Sequence, residues 1–222
     1  LLVGACAPLP TGYRRPADIV PWATSSIGPT DDGRIKPDLL APGTGVYALG
    51  PLGTYTTVEG TSYAAPQAVG ASALLAQRFR TAGFGNPGAA LQKALFIHTA
   101  KPATADGSPT YATGWGLLDV REAAEIVDAQ AAGNASFETA LLPAGARREF
   151  DVISDGTAPL KVTLAWIDPA GSPQPESLDS QARVLVNDLD LRVVNGNTTT
   201  LPWVLNPAVP ATGATRGDND RD

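Results

Sequence analysis

The run Glu59-Gly60-Thr61-Ser62-Tyr63-Ala64-Ala65-Pro66 places a serine where a pattern of small residues at helical spacing begins. A helix N-terminus carries unpaired backbone N–H groups and the positive end of the helix dipole. A serine there keeps its hydroxyl exposed and offers its own N–H to the oxyanion that forms on an attacked carbonyl. Gly60 lets the backbone turn tightly ahead of the serine, and Pro66 falls in the first helical turn, where a missing N–H costs little. These residue types in this order suit acyl transfer, with Ser62 as the nucleophile.

The other reactive side chains read as structural or as ion ligands. His98, the only histidine, follows the serine and falls near the end of a helical run, where a histidine meets the negative end of the dipole. The chain order Ser, Asp, His belongs to α/β-hydrolases, which carry Gly-x-Ser-x-Gly; here the second glycine is replaced by Ala64, and His98 is too near in sequence. Asp31 and Asp32 precede Gly33 in a turn-forming run. The single cysteine, Cys6, permits no internal disulfide and leaves the compartment open. Asp188 and Asp190 stand two apart on a strand-like run and share one face, so with Asp168 they are candidate calcium ligands. That ion takes about six to eight oxygens. It would be structural, and no cofactor is expected for the chemistry. Asn134-Ala135-Ser136 and Asn197-Thr198-Thr199 fit the glycosylation pattern. Trp115, Trp166 and Trp203 read as core or interface aromatics.

The elements that must position Ser62 form an α/β alternation over the first part of the chain. Strands are expected at Leu1 to Ala5 and at Leu39-Leu40. A buried central helix is expected from Thr61 to about Phe79, with Ala65, Val69, Ala73 and Ala76 at helical spacing. A second helix follows over about 88–97. A third starts at Asp119, where Asp-Val-Arg-Glu has the shape of a capping box completed by Glu122, and ends near Ala132. Beyond Gly133-Asn134 the texture changes. Leu160, Val162, Leu164 and Trp166 alternate with Lys161 and Thr163, and Val184 to Val194 repeats the alternation. Residues 1–133 are therefore read as an α/β domain and 134–222 as an all-β jelly roll or β-sandwich, with Asp168 to Gln181 a long loop.

With 43% hydrophobic and 17% charged residues, the 222-residue chain reads as globular. A formal charge of −6 without clustered Lys and Arg argues against nucleic acid as a partner. No apolar run approaches the roughly 18 residues that span a bilayer. The chain has no methionine, opens on the apolar Leu1-Leu2-Val3 and closes on the polar run from Arg216 to Asp222, which points to a piece of a longer polypeptide.

Gly60-Thr61-Ser62-Tyr63-Ala64-Ala65-Pro66 resembles the nucleophile signature of the subtilisin-like serine proteases. Ser25-Ser26-Ile27-Gly28-Pro29 and Gly33 to Gly43 resemble that family's approach to the nucleophile helix, and Gly114-Trp115-Gly116-Leu117-Leu118-Asp119-Val120 its closing segment. The likeness spans about residues 1–130. Residues 160–166 and 185–191 resemble the β-domain appended in the KP-43-type branch. Where many members carry histidine after the proline, this chain has Gln67. The resemblance implies an extracellular endopeptidase acting on polypeptides, monomeric when full length. It also implies that the catalytic Asp, the catalytic His and the oxyanion Asn lie N-terminal to Leu1, leaving this chain inactive alone. The competing expectation is a non-catalytic stabilising or binding β-module.

Overall fold

The computed structural model describes residues 1–134, 137–177, 180 and 182–221. The sequon residues Ala135 and Ser136, part of the 168–181 loop and Asp222 lie outside the described residues. Strands β1 (Val3–Cys6) and β2 (Leu39–Pro42) run parallel, in register from Val3↔Leu39 to Cys6↔Pro42. Both are uninterrupted apolar runs because both sheet faces are covered. Leu39 packs against the helices, while Leu40 joins Cys6, Ile19 and Leu117 on the opposite face. The closing segment extends this sheet. Leu40 N–H donates to Gly116 O at 2.8 Å, Leu118 N–H donates to Leu40 O at 2.9 Å, and Lys101 and Leu117 exchange two bonds of 2.9 Å.

Helices α1 (Thr61–Thr81), α2 (Ala89–Thr99) and α3 (Val120–Ala131) pack on this sheet, close to their expected positions. Their shared core contains Leu39, Ala71, Leu75, Phe79, Leu95, Phe96, Ala123 and Val127. The phase of α1 differs from expectation. Its buried stripe is Ala64, Ala68, Ala71, Leu75 and Phe79, whereas Ala65, Val69 and Ala73 are exposed and Ala76 is half-buried. Small apolar residues occur all round this helix, so their spacing sets no phase. Leu75 and Phe79 set it, each contributing about 2 kcal/mol on burial. At α3, Asp119 accepts the Glu122 N–H at 3.0 Å, as a cap should. The Glu122 carboxylate turns to Lys101 instead of closing the box.

One element has no counterpart in the sequence reading, an antiparallel hairpin of β3 (Val46–Leu49) and β4 (Tyr55–Val58). Its turn is Gly-Pro-Leu-Gly and its strands do not alternate cleanly, so no period-2 signal marks it.

The C-terminal part departs further from expectation. Between 137 and 192 the described residues form no helix or strand. After them come two separate ladders, β5 (Val193–Asn195) with β6 (Thr198–Thr200), and β7 (Trp203–Val204) with β8 (Thr215–Arg216). A half-buried strand needs neighbours for its backbone and a second layer for its apolar face. Two-stranded ladders supply neither, and Leu160, Val162 and Leu164 remain exposed. No jelly roll is formed by the described residues. This part docks on the first through Leu205, buried with Ile35 and Tyr111, and through Arg221, whose guanidinium donates to Asp32 O at 2.5 Å. Among the described residues no helix is long and apolar enough to cross a membrane.

Candidate active site

Ser62 is the second residue of α1, a helix of 21 residues, and its side chain is exposed. The cap ahead of it is built by two glycines. Gly60 adopts φ 145°, a conformation L side chains rarely take. Its N–H donates to Gly43 O at 2.7 Å, and Gly43 N–H donates to Cys6 O at 2.9 Å. At Gly43 a Cβ would stand 2.7 Å from Ala5 Cβ and 2.8 Å from Gly60 O, so no side chain fits between sheet and cap. The first turn closes as Tyr63 and Ala64 donate to Gly60 O at 3.0 and 3.4 Å. Among the described residues neither the Ser62 hydroxyl nor its N–H has a hydrogen-bond partner. A free hydroxyl and a free backbone N–H thus sit together at the positive end of a long helix dipole, an arrangement suited to a nucleophile and an oxyanion donor.

Gln67, one turn further on, donates from Nε2 to Pro42 O and lies 3.5 Å from Tyr63 O. It ties the first turn of α1 to the end of β2. Neither this tie nor the β3–β4 hairpin that emerges from the cap was read from the sequence. The only advance signal was the adjacency of Pro42-Gly43 to the family-like run.

The remaining candidates are placed elsewhere. His98 lies at the C-terminal end of α2, with Nδ1 3.0 Å from Thr163 Oγ1, and makes no bond to Ser62. Burial lowers its pKa, the nearby Lys161 charge lowers it further, and Glu122 acts in opposition. Burial pushes the Cys6 thiol up to about 11, which leaves it protonated and inert near neutrality. Asp31 and Asp32 lie within the Thr30–Arg34 turn, where Asp32 accepts from Thr30 Oγ1 at 2.5 Å and from Arg34 Nε at 2.8 Å. Asp188 and Asp190 are exposed, and Asp190 stands 3.7 Å from Arg192. The Asp168 carboxylate is engaged by the Val186 and Asn187 amides at 2.7 and 2.9 Å. Among the described residues no group of three or more His, Cys, Asp or Glu is disposed to hold a metal ion. Trp115 packs partly buried against the helical core, and Trp203 is covered by the Arg216 guanidinium at 3.5 Å.

An exposed serine at the head of a long helix, beyond the C-terminal end of a parallel strand, is an arrangement that suits a nucleophile. Residues 15–116, which include Ser62, match the model of the subtilase family, Peptidase S8. The chain is similar to the Serine protease/ABC transporter B family protein tagA of Dictyostelium discoideum, 31% identical over 211 residues, covering 80% of this chain and 12% of that protein. It is also similar to pyrolysin of Pyrococcus furiosus, 34% identical over 111 residues, covering 47% of this chain and 8% of that protein. It thus spans only a small part of the length of these relatives. Among solved structures, the Clostridium perfringens CspB protease superposes with a TM-score of 0.46 at 28% identity, covering 57% of this chain and 26% of that one. The patellamide maturation protease PatA superposes with a TM-score of 0.42 at 27% identity, covering 57% and 42%.

Proposed function

We propose that this chain is the nucleophile-bearing part of a subtilisin-like serine endopeptidase acting on polypeptides. The observation that carries the reading is the unpartnered Ser62 hydroxyl and N–H at the capped start of α1, inside the residues that match the subtilase family. Ser62 Oγ adds to a peptide carbonyl as a base removes its proton. The Ser62 N–H holds the resulting oxyanion, collapse expels the amine, and water then releases the acyl group. The chain's one histidine is engaged with Thr163, so the base comes from polypeptide outside these residues. Residues 134–222 belong to the same proposal as part of an appended β-domain, supported by the alternation of residues 160–166, and the enzyme is proposed to act outside the cell.

The test is hydrolysis of casein by the chain alone and by the protein that includes its preceding residues. Without a base, turnover falls by on the order of 10⁴ to 10⁶. The chain alone is expected to be inert, and the longer protein to cleave until Ser62→Ala abolishes activity. Cleavage by the chain alone, removed by Ser62→Ala, would place the base within these residues and overturn that part of the proposal.

A further inference from the structure

Hairpin β3–β4 springs from the nucleophile's own cradle: Gly43 lies three residues before β3, Gly60 two residues after β4, and their backbones are bonded to each other at 2.7 Å. The register pairs Tyr47 with Thr57 and Leu49 with Tyr55, which sets these four side chains on one face. Tyr47 and Tyr55 stack diagonally on it with ring centroids 5.4 Å apart. Tyr47, Leu49 and Tyr55 are all well exposed. At the tip, Leu52 holds φ 60°, a left-handed conformation unusual for leucine, with its side chain fully exposed.

A solvated hairpin does not need such a face, since water gains nothing from stacked tyrosines and a leucine held outward. From Val46 to Val58 the chain carries no charge, although the molecule as a whole carries −6. That favours an uncharged apolar partner over an acidic or basic one. The sheet has two strands only, so among the described residues no strand pairs the outer edges of β3 and β4. Such edges accept an extended chain through backbone hydrogen bonds, while the aromatic face takes its side chains.

We infer that the Tyr47–Leu49–Leu52–Tyr55 face docks an extended, uncharged apolar stretch of the polypeptide substrate, next to the bond presented to Ser62. The inference rests on the endopeptidase reading for the identity of the occupant. The hairpin supplies binding away from the reacting atoms, so its loss weakens capture and leaves Ser62 chemistry in place.

Binding of fluorescently labelled β-casein to the intact protein carrying Ser62→Ala separates docking from cleavage. Leu52→Asn keeps a residue that tolerates the left-handed conformation, and Tyr47→Ser changes an exposed side chain, so both variants are expected to fold. Each is expected to weaken binding about ten-fold, the factor that losing one apolar side chain from a contact gives. Ile153→Asn, at an exposed residue far along the chain from the hairpin, is the control and is expected to bind unchanged. Equal affinity in all variants overturns the inference and leaves the endopeptidase reading intact. Equal loss in the Ile153→Asn control also overturns it, because the binding is then general stickiness. Hairpin-dependent binding by a protein that shows no Ser62-dependent hydrolysis upholds the docking face and fails the endopeptidase reading.

Discussion

Asp38 stands immediately before β2, buried, with its carboxylate accepting the Leu2 N–H and the Lys36 ammonium, each at 2.6 Å, while Lys93 Nζ lies 3.7 Å away. Burial pushes this carboxyl upward, but the Lys36 hydrogen bond and charge, the Leu2 amide and Lys93 outweigh it and hold the group below its ordinary value. Its folded pKa is therefore depressed. The stability it contributes is complete above the unfolded value near 3.8 and is lost as the pH falls through the folded one. Asp38→Asn removes the charge and leaves the Lys36 ammonium largely buried without it, which costs about 3 kcal/mol. Urea unfolding at neutral pH is expected to show that loss, and at pH near 3 the gap between variant and parent should narrow. A gap of the same size at both pH values would mean that shape, not charge, matters at this position. The place of Ser62 at the head of α1 is legible in the sequence because its cap, its small neighbours and its proline are all local. Asp38 was not, because its Leu2 partner is 36 residues away.

The segment around residues 160–166 shows what an element's pattern can and cannot fix. The alternation correctly separates Lys161 and Thr163 from Leu160, Val162 and Leu164, but the faces are turned the other way from a strand over a core. Lys161 Nζ reaches Ile97 O at 3.5 Å and His98 O, closing the C-terminal carbonyls of α2, and Thr163 meets His98. Leu160, Val162 and Leu164 are exposed, while Trp166 is half-buried. Which side of an alternating run is covered depends on the partner, and no partner is written in the run itself. His98 sits near the charges of Lys161 and Glu122. Burial and then Lys161 hold its pKa below 6.5, while Glu122 opposes them. Because the folded state resists protonation, stability is complete above pH 6.5 and declines below it. Lys161→Met removes the neighbouring charge. It is expected to raise the His98 pKa toward 6.5, read from the imidazole proton shifts in an NMR titration, and to flatten the fall in melting temperature from pH 6.5 to pH 5. An unmoved titration would show that Lys161 does not act on His98.

On the scale of the whole molecule, the change of texture after Gly133 suggests a boundary, yet the contacts cross it. Phe137 packs tilted against Phe79 and edge-on to Phe84, at centroid distances of 5.3 and 5.6 Å, and so completes the far end of the helical core. Leu205 seals Ile35 and Tyr111, and Arg221 reaches back 189 residues to Asp32 O. Such pairings join elements that composition assigns to different units, and contacts of this range leave no mark in local composition. A chain ending at residue 133 loses Phe137, Leu205 and Lys161 together. Phe137 is partly buried, so its loss costs less than the about 3–5 kcal/mol of a fully buried aromatic, while loss of the buried Leu205 costs about 2–5 kcal/mol. For a domain of this size the melting temperature should fall on the order of 10 °C or more. The newly bared Phe79, Ile35 and Tyr111 should bind a hydrophobic dye. A chain ending at residue 140 keeps Phe137 and should recover part of the loss, which separates the aromatic cluster from the Leu205 contact. If residues 1–133 melt as cooperatively and as high as the whole chain and bind no dye, the later contacts are superficial, and the boundary read from texture is a boundary of the fold.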